Sequence, residues 1–167
     1  MSEFRRISSY ALAYVLWAAS LILAGLVLLQ LRESYLSAAA MSTFNRLQGN
    51  QTELFYAALA TRAFDTWSYL LIGVIEVIAI VFIEFYYRTG AHLGRLRQRF
   101  VLVTAIEFVL LFIANMTNVV LIWQVSSFTW KSLFYPVLEL LTAGIFTWLW
   151  FDLRRLRLAT TTEGPPA

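Results

Sequence analysis

LLIGVIEVIAIVFIEFYYRTGAHLGRLRQRF, Leu70–Phe100, is apolar for most of its length, yet it holds Glu76 and Glu84 with no Lys or Arg before Arg88. About 20 apolar residues are what a helix needs to cross ~30 Å of hydrocarbon. Trp67–Tyr87 therefore reads as a membrane-spanning helix. The basic stretch Arg88–Arg99 then connects it to a second apolar run, Phe100–Trp123. Two further runs of similar length, Tyr10–Leu31 and Leu133–Phe151, complete a set of four.

The whole chain agrees with that reading. It has 167 residues, 60% hydrophobic and 16% aromatic, with a mean hydropathy of +0.68. A soluble domain of this size could not bury so much apolar surface. The expected fold is all-α: an integral membrane four-helix bundle forming one domain over residues 1–158, with spans near 10–31, 67–87, 100–123 and 133–151 and a polar tail over 159–167. The first span follows Arg5 and Arg6 and precedes SAAA at Ser37–Ala40, an arrangement that imitates a cleavable signal. Its apolar run is too long for a signal core, so it is expected to remain a helix.

Orientation follows from the basic residues, because Lys and Arg in short loops stay in the cytoplasm. Arg5, Arg6, Arg88, Arg95, Arg97, Arg99, Arg154, Arg155 and Arg157 fall on one side, and Arg32, Arg46, Arg62 and Lys131 on the other. Both termini are expected in the cytoplasm, in a multi-pass protein of the bacterial inner membrane. Arg88, Arg95, Arg97, Arg99, Arg154, Arg155 and Arg157 form an expected cytoplasmic basic patch facing anionic lipid. The net charge of +3 is otherwise scattered, and no nucleic-acid partner is expected.

The connection Arg32–Thr66 is expected to be a long exterior loop. Within it, Asn50 followed by Glu53 forms a capping signature, and Leu54, Phe55, Ala58 and Leu59 form one stripe. The pattern predicts a short amphipathic surface helix over Thr52–Phe64. Asn50-Gln51-Thr52 also matches a glycosylation sequon. Ser20 with Ala24, and Ala143 with Thr147, supply small-residue steps that permit close helix approach.

The candidate functional groups are acids inside the spans. Counting helical rise from the outer ends puts Glu139 about 9 Å deep, Glu76 about 13 Å, Glu107 about 20 Å and Glu84 about 25 Å. On this count Asn118 is level with Glu139 and Asn115 with Glu76. Glu107 and Asn118 share one face of their helix, expected to point inward. No Lys, Arg or His lies between the ends of any span. Glu76, Glu107 and Glu139 must then be protonated and bonded to Asn or Thr, bind a translocated cation or proton, or pair with another subunit. Glu84 has Arg88 one turn on, as an i,i+4 partner.

The stretch Glu76–Ile113 carries an acid in mid-helix, TGAH at Thr89–His92, arginines before Phe100, and TAI at Thr104–Ile106. In these features it resembles the second and third spans of the phosphate-starvation-inducible E (PsiE) family of small four-helix membrane proteins. The likeness covers about a quarter of the chain, and it departs at Glu107, near which the family carries a basic residue. That family has no established reaction, so the resemblance implies four helices and no chemistry.

With no Cys and only His92, the chain offers no disulfide, no iron–sulfur ligation and no bis-histidine haem site. No metal site, no catalytic constellation and no enzymatic activity are expected. No cofactor is expected beyond bound lipid, although aromatic surfaces leave pigment or quinone contact open. The leading expectation is a non-catalytic accessory subunit of a bioenergetic or transport complex, whose partners are membrane lipids and other membrane subunits. The alternative is a homo-oligomeric channel or proton- or cation-coupled transporter using Glu76, Glu107, Glu139, Asn115 and Asn118.

Overall fold

The computed structural model describes the backbone of residues 3–46, 51–125 and 129–162, and side chains over 7–42, 62–123 and 129–157. It is all-helical: α1 (Glu3–Arg46), α2 (Gln51–His92), α3 (Leu96–Val125), a 3-10 turn (Trp130–Leu133) and α4 (Phe134–Thr162). Each α-helix contains a segment long and apolar enough to cross a membrane. This bears out the expected four helices of spanning length.

The expected long first loop is largely helix. Gly49 is the only Gly or Pro between Gly25 and Gly73, so nothing in Leu26–Gln48 or Asn50–Ile72 breaks a helix. Accordingly α1 continues through Arg46 and α2 starts at Gln51. Thr52–Phe64 is thus not a separate surface element but part of α2, and Asn50, its expected cap, lies outside the described residues. At the other end, α4 takes in the first residues of the expected tail, 159–162.

Between α2 and α3 the chain reverses within Leu93, Gly94 and Arg95. The Gly94 N–H donates to Ala91 O at 3.3 Å, and the Arg95 N–H donates to Gly90 O at 2.8 Å. This pair of bonds satisfies the last carbonyls of α2 and requires a left-handed residue between them. Gly94 supplies it, with φ 63°.

The helices pack in the order α2, α1, α3, α4. Among the described residues α4 packs, of the α-helices, on α3 alone, and α2 touches α3 only lightly. The bundle is therefore open, with α2 and α4 on its flanks. Small residues buried along the seams, Ala13 and Ser20 on α1, Ala105 and Ala114 on α3, and Ala143 on α4, let the backbones come close. Near the α2–α3 turn, Ala13, Tyr87 and Leu96 form a buried cluster flanked by Trp17, Ile83 and Phe100. Phe108 stacks on Phe146 at 6.2 Å between α3 and α4.

Candidate functional site

The four candidate glutamates of the long apolar helices occupy four different environments. Glu84 lies 3.9 Å from Arg88, the i,i+4 pair read from the sequence. Glu139 accepts a hydrogen bond from Asn115 Nδ2 at 2.6 Å, while Asn115 Oδ1 accepts one from Gln30 Nε2 at 2.9 Å. This chain of bonds ties α1, α3 and α4 together. Its other carboxyl oxygen, Oε2, is buried without a partner among the described residues.

The pairing of Asn115 with Glu139 corrects the expected levels, which matched Asn115 to Glu76 and Asn118 to Glu139. The count from Leu133 leaves out the 3-10 turn Trp130–Leu133 that precedes α4, so it does not fix the level of Glu139. Asn118 is half-buried.

Glu107 is buried, as the helical wheel indicated, at 5% exposure. Neither of its carboxyl oxygens has a hydrogen-bond partner among the described residues. Thr104, one turn earlier, is also buried. Within electrostatic reach is the Tyr87 hydroxyl, which is bonded to Ser20 Oγ at 2.8 Å across the α1–α2 seam. Ser20 thus serves packing within the chain.

Glu76 is different again. It is exposed, although it lies beside α1. A Cβ built on Gly25 would stand 3.7 Å from its Oε1, an ordinary contact distance, so α1 meets the carboxyl at a residue without a side chain. Gly73, three residues earlier on α2, has open space where its Cβ would stand. No residue in the apolar window of α2 is buried.

Several polar contacts escaped the reading of the sequence. Arg32 Nε donates to Ser68 Oγ at 3.0 Å, its guanidinium forms an ion pair with Asp65, and it lies 3.6 Å over the Tyr69 ring. This clamp joins α1 to α2. Next to it runs an apolar groove of about 580 Å³ lined by residues including Leu28, Tyr35, Phe64 and Trp67. The Ser34 hydroxyl lies 2.8 Å from Gln30 O and 2.9 Å from Ala114 O, binding α1 to α3. Trp17 Nε1 donates to Ile80 O at 3.3 Å, well inside the span rather than at an interface.

The expected basic patch divides by role. Arg99 donates to Tyr86 O and stacks 4.4 Å over the Tyr86 ring, so it caps the end of α2. Arg154 sits 5.4 Å over Trp150. Arg157 Nη2 donates to Gly94 O at 3.4 Å, bringing the end of α4 to the α2–α3 turn. Arg95, Arg97 and Arg155 are exposed. Among the described residues no three His, Asp or Glu side chains converge as metal ligands would.

No protein-family model matches the chain, and comparisons with curated proteins and with solved structures return no significant match.

Proposed function

We propose that the protein is a non-catalytic accessory subunit of a larger membrane assembly and that it docks through the α1–α2 seam at Glu76. The supporting observation is the exposure of this carboxyl, far from either end of a flanking helix, beside Gly25. A carboxylate left facing lipid near a helix centre costs about 2.5–3.5 kcal/mol or more. A partner helix carrying a cation at that depth offsets that cost. The spans themselves contain no Lys, Arg or His, so a second copy of this chain has no cation to offer at that depth. The partner is therefore a different chain with Arg, Lys or His in its span. On the same reading both termini and the α2–α3 turn face the cytoplasm of a bacterial inner membrane.

The second reading, a homo-oligomeric channel or a proton- or cation-coupled transporter, draws on Glu107, whose interior carboxyl has no partner among the described residues. The distribution of the acids favours the subunit reading. Glu139 is tied to Asn115, Glu107 lies near Tyr87, and Glu76 is open to the membrane.

One variant separates the two. Glu76→Gln keeps shape and hydrogen bonding but removes the charge. Purified in mild detergent from its native membrane, this variant is expected to recover at least about fivefold less partner than wild type, with unchanged amounts of the chain itself, as loss of a buried charge-assisted bond implies. Intact assembly together with lost proton or cation flux would establish the transporter reading instead. Unchanged assembly with unchanged flux would rule out any role for Glu76 in either.

A further inference from the structure

The apolar groove beside the Arg32 clamp lies between α1 and α2 and holds about 580 Å³. Leu28 and Leu31 of α1 and Leu71, Val74 and Ile75 of α2 belong to its walls. Arg32 and Ser68, which also line it, are bonded to each other at 3.0 Å. Near them Tyr35 and Phe64 meet across the seam, with ring centroids 6.0 Å apart. Both sequences set the same gradient. Away from the connection 47–50, α1 presents Tyr35, Arg32, Leu31 and Leu28, while α2, running the other way, presents Phe64, Ser68, Leu71 and Ile75. The groove therefore passes from a polar, aromatic end to an aliphatic one.

We infer that this groove seats one acyl chain of a membrane phospholipid. Its length, width and level all point to that occupant. From Phe64 to Ile75 the α2 wall rises about 16 Å at 1.5 Å per residue. That is close to half of the ~30 Å hydrocarbon core, so a chain from one leaflet fills the groove from end to end. Spread over that length, the volume gives a channel roughly 6 Å across, wide enough for extended hydrocarbon and narrower than a helix of about 10–12 Å. The level follows from the apolar runs. Leu31 ends the first and Trp67 begins the second, so the end bearing Arg32 and Ser68 lies at the hydrocarbon edge, where Tyr and Trp rings sit among headgroups. Val74 and Ile75 lie deeper, where a lipid is purely aliphatic. A chain seated there supplies the dispersion contacts that an unfilled groove forfeits. The inference does not rest on the subunit reading, and its test leaves Glu76 unchanged.

The test uses the full-length protein in detergent micelles, titrated with palmitoyl-oleoyl phosphatidylcholine, with its didecanoyl analogue and with palmitoyl-oleoyl phosphatidylglycerol, while native mass spectrometry counts retained lipids. Wild type is expected to hold both long-chain lipids to within about twofold of each other and the short-chain lipid about tenfold less well, because buried methylenes carry the binding. Val74→Trp fills the groove and is expected to weaken long-chain retention about tenfold, as overfilling an occupied space does. Val81→Trp makes the same change at another exposed valine of α2, two turns on and outside the groove, and is expected to alter retention less than about twofold. Equal losses in the two variants would overturn the proposal, because they would mean a lipid annulus without a site. Dependence on headgroup in place of chain length would overturn it too. So would a second copy of the chain, or another protein, held in place of lipid and released by Val74→Trp, since the groove would then seat a helix. Thermal unfolding of both variants checks that they fold. If Val74→Trp unfolds early, Leu71→Trp, which fills the groove from another exposed position, must give the same loss for the proposal to survive, and the chain-length comparison on wild type decides without any variant.

Discussion

Arg32 shows how one side chain reorganises the reading of a segment. In sequence it reads as an isolated basic residue at the exterior edge of a span, but in the structure its guanidinium pairs with Asp65, bonds Ser68 and covers Tyr69. Arg32 is 9% exposed and Asp65 44% exposed, so the pair is half in solvent and its worth is limited by screening. A double-mutant cycle with Arg32→Gln and Asp65→Asn is expected to give a coupling of about 1 kcal/mol, read from reversible unfolding in mixed micelles. A coupling near zero would mean that stacking on Tyr69 holds Arg32. The pair was legible in principle, because Arg32 and Asp65 are equidistant from the connection 47–50. What hid it was the assumption that the intervening residues form a loop, in which such symmetry has no meaning.

Asn115 does for α1, α3 and α4 what Arg32 does for α1 and α2. Its amide donates to Glu139 and accepts from Gln30, so removing it leaves two polar side chains without partners inside the protein. Asn115→Ala is expected to cost about 1–2 kcal/mol, at the upper end for interhelical hydrogen bonds in membranes. The loss should be felt most in α4, which packs on α3 alone among the described α-helices. Glu139→Gln still offers a carbonyl oxygen to the Asn115 amide and is expected to be nearly neutral. Amide hydrogen exchange along α4 checks both: faster exchange in Asn115→Ala and unchanged exchange in Glu139→Gln. Equal acceleration in both would show that the charge of Glu139, not its acceptor, holds the helix. The candidate residues Glu139 and Asn115 could be named from the sequence because each is polar in an apolar run. Their pairing could not, since it depends on how α3 and α4 are set side by side beyond the 3-10 turn. Gln30 went unnoticed because it sits at the apparent end of its span, where a polar residue needs no explanation.

For the molecule as a whole, the distribution of charge predicts orientation. Nine of the 13 basic residues, Arg5, Arg6, Arg88, Arg95, Arg97, Arg99, Arg154, Arg155 and Arg157, lie towards the termini or within seven residues of the α2–α3 turn. The positive-inside rule therefore predicts that reporters fused after Gly90 and after Ala167 signal cytoplasm, and that one inserted at Gly49 signals the exterior. Equal signals at Gly49 and Gly90 would contradict a membrane crossing by α2. The open packing order also has a consequence at this scale. With α2 and α4 on the flanks, the broad apolar faces bearing Val77, Phe82, Leu141 and Trp148 are exposed, available to lipid or to a partner's helices.

The number of helices long and apolar enough to cross a membrane was legible in composition alone, because a bilayer demands about 20 apolar residues per crossing and satisfies backbone groups only in regular structure. The i,i+4 pair of Glu84 and Arg88 and the inward face of Glu107 were likewise determined by helical periodicity, which depends on nothing outside one helix. Relations between helices were decided only in three dimensions. Side chains far apart in sequence meet according to helix length, turn geometry and the size of the residues at each seam. Glu76 is the clearest case: it is exposed with its apolar neighbours because α2 lies on the flank of the bundle. The contact of Arg157 with Gly94 O is another, formed only once α4 reaches the α2–α3 turn.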